Sequence, residues 1–198
     1  MKLSKGSKLI ILGALMVVID QIIKVLVKTN MELGETINVF GDWCKLHYVL
    51  NDGMAFGMAF GGVWGKLVLS LFRVGLSGGL IWWISKLVKK SDTPVGVLVG
   101  LALITAGAVG NIIDCFFYGM IWPEVTMAGA PFPLMFGQVV DMFYFPLFKY
   151  DFWGFSGTFF GAVFNFADAC VTCGAIYLIL FHYKFFAKED KKRSHEKP

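Results

Sequence analysis

The chain has 198 residues, of which 57% are hydrophobic and 16% are charged, and its net charge is +4 at pH 7. This composition excludes an ordinary soluble domain and predicts an integral membrane protein, and the length suits a single domain over residues 1–198. The basic residues lie in short flanking segments rather than in one patch, which argues against a nucleic-acid partner.

Four apolar segments are long enough to cross a membrane as helices, which takes about 20 residues each. In chain order they lie at 9–28, 64–87, 94–118 and 158–183. The first has the basic start of a signal peptide, but it lacks a small-residue cleavage site and continues through Asp20 into more apolar sequence, so it is interpreted as a retained helix. The charged segment at 187–198 is predicted to be a disordered tail. The predicted fold class is therefore an all-α membrane protein with four transmembrane helices.

Basic residues predict the orientation of these helices. They cluster before the first span, between the second and third spans, and after the fourth span, whereas the long connections at 29–63 and 119–157 contain few of them. The positive-inside rule therefore places both termini in the cytoplasm and both long connections outside it. The second long connection is rich in Phe, Trp, Tyr and Pro, as expected of a loop that lies at the membrane interface.

Polar side chains recur inside these spans at helical spacing. The pairs are Asp20 with Lys24, Asn111 with Asp114, and Asn165 with Asp168. Each pair shares one helix face, and a rise of about 1.5 Å per residue places the charged members in the outer half of a hydrocarbon core about 30 Å thick. Asp141 lies in the apolar run "VVDMFYF" of the outer connection that leads to the fourth span. Several carboxylates could therefore meet near the outer membrane surface.

Carboxylates in a membrane span also have purely structural explanations. Asp20 and Lys24 could form a structural ion pair, and Asp114, near a helix end, could reach headgroup water. Asp141 and Asp168 have no basic residue within a helical turn, so two unpaired carboxylates at one depth indicate chemistry or ion binding.

The residues alone support three classes of protein. An enzyme and a small proton- or cation-coupled membrane transporter are supported about equally, although the repeated segments typical of a transporter are not found in the sequence. A non-enzymatic assembly factor that holds a partner through its aromatic loop is the third class. The cysteines lie mostly in apolar segments without a second Cys or His pair nearby, so neither a disulfide framework nor a metal or cofactor site is predicted.

Five short motifs occur in order along most of the chain. They are DQIIK at 20–24, NDGMAFG at 51–57, GNIID at 110–114, VVDMF at 139–143 and FNFAD at 164–168. Together they resemble the motifs of lipoprotein signal peptidases, the type II signal peptidases of bacteria. The resemblance implies an inner-membrane aspartic endopeptidase that cleaves prolipoproteins just before a cysteine that carries diacylglycerol. It also implies a small extracytoplasmic cradle, which could be built from β-strands, and an active site near the periplasmic face.

The same resemblance implies a role for each matching position. Asp141 and Asp168 would be the catalytic pair, and Asp20 and Lys24 would give structural support. Residues that bind substrate or support the site would be Asn51, Gly53, Asn111, Asp114 and Asn165. The implied partners are the diacylglyceryl-prolipoprotein and membrane lipid, with no cofactor or metal, and the protein is expected to be a monomer.

Two features depart from the family pattern. Family members usually carry Arg directly after the Asp of the GNxxD motif, where this chain has Cys115, and Lys24 is a candidate for the work of that Arg. The family also usually places the catalytic Asp a few residues after the next glycine, whereas residues 120–138 intervene here. Because of this insert, the sequence does not determine the conformation of the loop over the site. Together with the NDGMAFG loop, the insert could cover the site.

The implied chemistry requires only two carboxyl groups. Two such groups placed close together cannot both ionise easily, so they tend to share one proton. The ionised group can act as general base toward water, and the protonated group can polarise the peptide carbonyl. The sequence leaves open which of Asp141 and Asp168 takes which part, because the pair titrates as a unit.

Overall fold

The computed structural model describes residues 3–53, 62–152 and 155–195. The elements are, in order, α1 (Lys5–Asn30), β1 (Thr36–Phe40), β2 (Cys44–Asn51), α2 (Gly62–Leu87), α3 (Val95–Ile113), a π-helical segment (Asp114–Tyr118), α4 (Gly119–Ile121), a 3-10 turn (Pro123–Val125), β3 (Val139–Tyr144), β4 (Phe148–Phe152), β5 (Phe155–Phe159) and α5 (Phe166–His195). Residues 54–57 of the NDGMAFG motif lie outside the described residues, so the expected cover from that loop is outside them as well.

Within the described residues, four helices are long and apolar enough to span a membrane, which confirms the predicted number. They cover Lys5–Asn30, Gly62–Leu87, Val95–Ile121 and Phe166–Ala187. The described parts of the long connections contain two small antiparallel sheets, with strand orders β1-β2-β3 and β4-β5. The protein is therefore a multi-pass helical membrane protein with small sheets outside its helices.

The fourth span differs from the prediction at both ends. It begins at Phe166 rather than at 158, because residues 155–159 form β5, in which Gly157 pairs with Tyr150 of β4. Glycine and the β-branched and aromatic residues around it favour strand over helix. At the other end, the predicted disordered tail at 187–198 is instead helical up to His195, in a segment that contains the helix formers Ala, Lys, Glu and Arg.

α3 lies at the centre of the helical layer and packs against α1, α2 and α5. Its contact with α5 is unusually close, because a Cβ at Gly107 would lie only 2.3 Å from the Ala167 carbonyl oxygen. Small residues let two helix backbones approach in this way inside a membrane. The close approach brings the C-terminal part of α3, with Asn111, beside the N-terminus of α5, with Asp168.

An apolar groove of about 720 Å³ lies between α1, α2 and α3. Small residues of α1 and α3, among them Gly13, Ala14 and Ala106, make the depression, and longer apolar side chains such as Ile10 and Ile81 form its exposed edges.

Residues 139–144 of the run "VVDMFYF" form β3, and Val139–Met142 are buried in the protein core. β2 pairs with it in antiparallel register, with Asn51 opposite Val139 and Val49 opposite Asp141. A cluster formed by Val140 and Met142 with residues of β2, α1 and the π-helical segment stabilises this sheet against the helices.

The insert at 120–138 folds back on the π-helical segment. The Gly137 N–H donates to the Cys115 carbonyl oxygen at 3.0 Å, and the Gln138 N–H donates to the Val125 carbonyl oxygen at 2.8 Å. The approach requires glycine, since a Cβ at Gly137 would lie 2.3 Å from the Asp114 carbonyl oxygen. The insert therefore delivers the start of β3 directly beside Asp114.

Candidate active site

Asp168 is positioned by the start of its own helix. Asn165 precedes the first residue of α5, and its side-chain oxygen accepts from the Asp168 N–H at 2.9 Å. In return, the Asp168 carboxylate accepts from the Asn165 N–H at 3.3 Å. This reciprocal pair has the pattern of a capping box, and it holds the carboxylate at the positive end of the helix dipole.

Asp141 is positioned by side-chain amides from two other elements. Its Oδ1 accepts from Asn165 Nδ2 at 2.6 Å, and its Oδ2 accepts from Asn51 Nδ2 at 2.9 Å. The backbones of the two aspartate segments are also joined, because Phe143 and Phe164 exchange hydrogen bonds of 2.8 and 3.0 Å. The sheet and the start of α5 thus form one unit that holds both aspartates in one site.

Asn111 completes the connection between the two aspartates. Its Nδ2 donates to Asp168 Oδ1 at 2.8 Å, and its Oδ1 accepts from Asn165 Nδ2 at 3.1 Å. Since Asn165 also donates to Asp141, two amides link one carboxylate to the other. Lys24 Nζ donates to Asn111 Oδ1 at 2.8 Å, and this contact fixes the orientation of the Asn111 amide.

The burial of the two aspartates differs. Asp141 is buried, whereas Asp168 is half-buried. Burial, followed by the charge of Asp168, raises the pKa of Asp141 to about 7, although the amides of Asn51 and Asn165 oppose the rise. Asp141 therefore holds a proton near neutral pH more readily than an ordinary carboxyl group does.

A buried ion cluster lies next to this pair. Lys24 Nζ is 2.9 Å from the Asp20 carboxylate and 2.8 Å from that of Asp114, and all three side chains are at most 2% exposed. The predicted pairing of Asp20 with Lys24 is thus present. Asp114 does not reach headgroup water as one alternative proposed, because its carboxylate is fully enclosed by this cluster.

Each carboxylate of the cluster also holds backbone next to one of the two aspartates. Asp20 Oδ1 accepts from the Ala167 N–H at 2.9 Å, one residue before Asp168. Asp114 Oδ2 accepts from the Val140 N–H at 3.3 Å, one residue before Asp141. The cluster therefore fixes the two aspartate segments relative to each other through a common lysine.

The structure brings together all of the predicted site residues. Gly53 belongs to this group, since its N–H donates to Asn51 Oδ1 at 2.8 Å and so orients that amide. Gln21 was not predicted, although it lies inside the DQIIK motif; its Nε2 donates to both Asp20 and Asp114, at 3.1 and 3.0 Å. Within the described ranges, no group of three or more His, Cys, Asp or Glu side chains is arranged to hold a metal ion.

Two cations of α2 were also missed by the sequence reasoning. Lys66 and Arg73 are separated by seven positions in a polar stripe with Ser70 and Ser77, a pattern that is visible in the sequence. Arg73 Nη1 lies 3.8 Å from Cys115 Sγ. The neighbour of Cys115 on this side is therefore Arg73, whereas Lys24, the predicted candidate, is engaged by Asp20, Asp114 and Asn111.

Two carboxyl groups that cannot both ionise easily are the arrangement with which aspartic peptidases activate water. Here the pair is carried by a strand and a helix of a four-span membrane protein, which defines an integral membrane aspartic peptidase.

Comparison with known proteins identifies the family. A family model described as signal peptidase (SPase) II matches residues 12–184. The lipoprotein signal peptidase of Porphyromonas gingivalis is 42% identical over 194 residues, which cover 90% of this chain and 84% of that protein. The lipoprotein signal peptidase of Amoebophilus asiaticus is 36% identical, with 94% of this chain and 78% of that protein covered. The chain belongs to the signal peptidase II family.

Solved structures agree on the fold. A bacterial membrane enzyme determined by the in meso method superimposes with a TM-score of 0.63 at 24% identity, covering 89% of this chain and 93% of the other. The family and the four apolar helices together make this chain a multi-pass inner-membrane protein.

Proposed function

We propose that this chain removes the signal peptide from prolipoproteins by hydrolysing the peptide bond before a diacylglyceryl-modified cysteine. The observation that carries the proposal is the network Asp141–Asn165–Asn111–Asp168, in which two hydrogen-bonded amides link the two carboxyl groups inside a membrane helix bundle. Family membership supports the same activity.

The two aspartates take different parts in this reaction. Asp141 is buried and its raised pKa suits the protonated acid, whereas Asp168 is half-buried at a helix N-terminus, which stabilises negative charge and leaves room for water. Ionised Asp168 takes a proton from water as the water oxygen attacks the scissile carbonyl carbon. Asp141 donates its proton toward the carbonyl oxygen, which becomes the hydroxyl of a tetrahedral intermediate. Collapse of the intermediate returns a proton to Asp141, and Asp168 protonates the leaving amine.

The proposed location of the site is the periplasmic face of the inner membrane. The basic clusters around the start of α1, from the end of α2 to the start of α3, and late in α5 support cytoplasmic termini through the positive-inside rule. The acyl chains of the substrate must stay in lipid while its scissile bond reaches water, and a site at the outer ends of the spans meets both requirements.

The Asp141→Asn and Asp168→Asn variants test the proposal. We expect each variant to cleave a diacylglyceryl-modified precursor in detergent or liposomes roughly 10²- to 10⁴-fold more slowly than the wild type, as is typical when a general acid or base is lost. An unmodified precursor serves as the specificity control and should be cleaved poorly by the wild type. Near wild-type cleavage by either variant would contradict the assignment of the pair, and equal cleavage of both precursors would contradict the specificity.

A further inference from the structure

α2 carries two cations within an apolar span. Lys66 is fully buried, and Arg73 lies about 16 Å along the helix from Gly62 and is half-buried. A charge at this depth is costly, so intramembrane cations usually have a specific partner. The partners of these two cations show what α2 contributes to the site.

Both cations bind the main chain of the turn that follows β2. Lys66 Nζ donates to the Asp52 carbonyl oxygen at 3.0 Å, and the Arg73 guanidinium donates to the Gly53 carbonyl oxygen. In addition, Gln138 Nε2 donates to Asp52 Oδ1 at 2.9 Å. The turn is thus held by donors from α2 and from the segment that leads into β3.

This turn determines where the Asn51 amide points. The Gly53 N–H donates to Asn51 Oδ1, which directs Asn51 Nδ2 to Asp141 Oδ2 at 2.9 Å. Gly53 has φ +88°, and a Cβ there would lie 2.7 Å from Arg73 Nη1, so both the conformation and the approach of Arg73 require glycine.

We propose that Arg73 and Lys66 are positioning residues of the peptidase: they hold the 51–53 turn through its carbonyl oxygens so that Asn51 donates to Asp141. The inference rests on the proposed function. Arg73 suits its position better than lysine would, because its planar guanidinium reaches the Gly53 carbonyl with Nη2 while Nη1 lies beside Cys115 Sγ.

The test uses Arg73→Met, Lys66→Met and Asn51→Ala, assayed for cleavage of a diacylglyceryl-modified precursor across pH. We expect Arg73→Met to lower kcat by up to roughly 100-fold with little change in KM, since the catalytic geometry is disturbed rather than the substrate contacts. The hydrogen bond from Asn51 stabilises ionised Asp141, so without it Asp141 keeps its proton to higher pH. Because the reaction needs protonated Asp141, the fall in kcat on the basic side of the profile moves to higher pH.

A double variant separates positioning from a direct effect of the lost charge. Asp168, Lys24 and Asp114 are the charged groups that face the Asp141 segment from α5, α1 and the π-helical segment, and these variants leave all of them in place. If Arg73 acts through the turn, Arg73→Met combined with Asn51→Ala shifts the profile no further than Asn51→Ala alone. Additive shifts would overturn the proposal.

Two further variants keep the test decisive. If Arg73→Met does not fold, Gly53→Ala disturbs the same turn without changing a charge, and it should reproduce the profile shift of Asn51→Ala; a wild-type profile would overturn the proposal. The matched control is Lys86→Met, which removes an exposed lysine from the other end of α2 and should leave kcat and the profile unchanged. A wild-type enzyme that fails to cleave would overturn the proposed function, whereas an active enzyme insensitive to the Arg73 and Gly53 variants would overturn only this inference.

Discussion

The two halves of the site are positioned by different physical means. Asp168 is placed locally: its main chain and carboxylate are bound by Asn165, three residues away, at the start of a long helix. Asp141 is placed by partners distant in sequence, since Asn51 reaches it from β2 and Asp114, in the π-helical segment, accepts from the preceding N–H. The helix-held half therefore combines a local capping pattern with single contacts from Asn111 and Asp20, whereas the sheet-held half has only partners that are distant in sequence.

The largest expected effect comes from disrupting the buried cluster of Lys24, Asp20 and Asp114, which joins the two halves of the site. Lys24→Met leaves the buried carboxylates of Asp20 and Asp114 without their cation, and breaking a buried ion pair in this way costs about 3–5 kcal/mol. We expect a large fall in Tm, measured in detergent, together with loss of activity.

The control for this prediction also neutralises the two carboxylates that Lys24 binds. Combining Lys24→Met with Asp20→Asn and Asp114→Asn should recover part of the lost stability, because the uncompensated charges are gone. A Lys24→Met protein as stable as the wild type would mean that the two halves are joined by packing alone.

The second prediction concerns the sheet-held half. In Gly137→Ala the new Cβ would lie 2.3 Å from the Asp114 carbonyl oxygen, so the insert must move and shift the start of β3. Overpacking of this kind costs about 1–3 kcal/mol, and the displaced Asp141 should lower kcat.

Gly75→Ala is the control, since nothing lies within 4 Å of a Cβ at that helical position. It should be neutral or slightly stabilising in thermal unfolding. Equal activity of Gly137→Ala and the wild type would show that Asp141 is placed without the insert.

The third prediction separates the two roles of Asn165. Serine also caps helices, so Asn165→Ser should keep most of the stability, whereas Asn165→Ala should lose about 1 kcal/mol. Both variants lose the amide that donates to Asp141 and Asn111, so both should show a marked fall in kcat. If Asn165→Ser retained wild-type kcat, the cap alone, rather than the shared amide, would be what the site requires from Asn165.

The sequence indicates the helix-held half better than the sheet-held half, for a physical reason. Apolar length predicts the four spans, and the spacing of Asn165 and Asp168 reflects a contact made within one helical turn. Asp141 could be singled out as a charge in an apolar run, but its strand pairing with residues 45–51 and the fold of the insert depend on contacts that no local pattern encodes. The same applies to Arg73 of α2, because its partner Gly53 lies in a different element, the turn that follows β2. The polar stripe of α2 does indicate on which face of the helix Arg73 finds its partners.

The last prediction concerns the pH dependence of stability, and it tests why Asp141 has a raised pKa. The pKa of Asp141 is about 7 in the folded protein against an ordinary value of 3.8, so folding takes up a proton between these pH values. The contribution of Asp141 to the free energy of unfolding therefore falls as pH rises from about 4 to 7. Asp141→Asn should remove this part of the slope when Tm is measured from pH 4.5 to 8. Asp168→Asn should reduce it without removing it, because burial is the larger cause and the charge of Asp168 is the second. If the Tm of Asp168→Asn depended on pH as little as that of Asp141→Asn, the charge of Asp168, and not the burial of Asp141, would be the main cause of the raised pKa of Asp141.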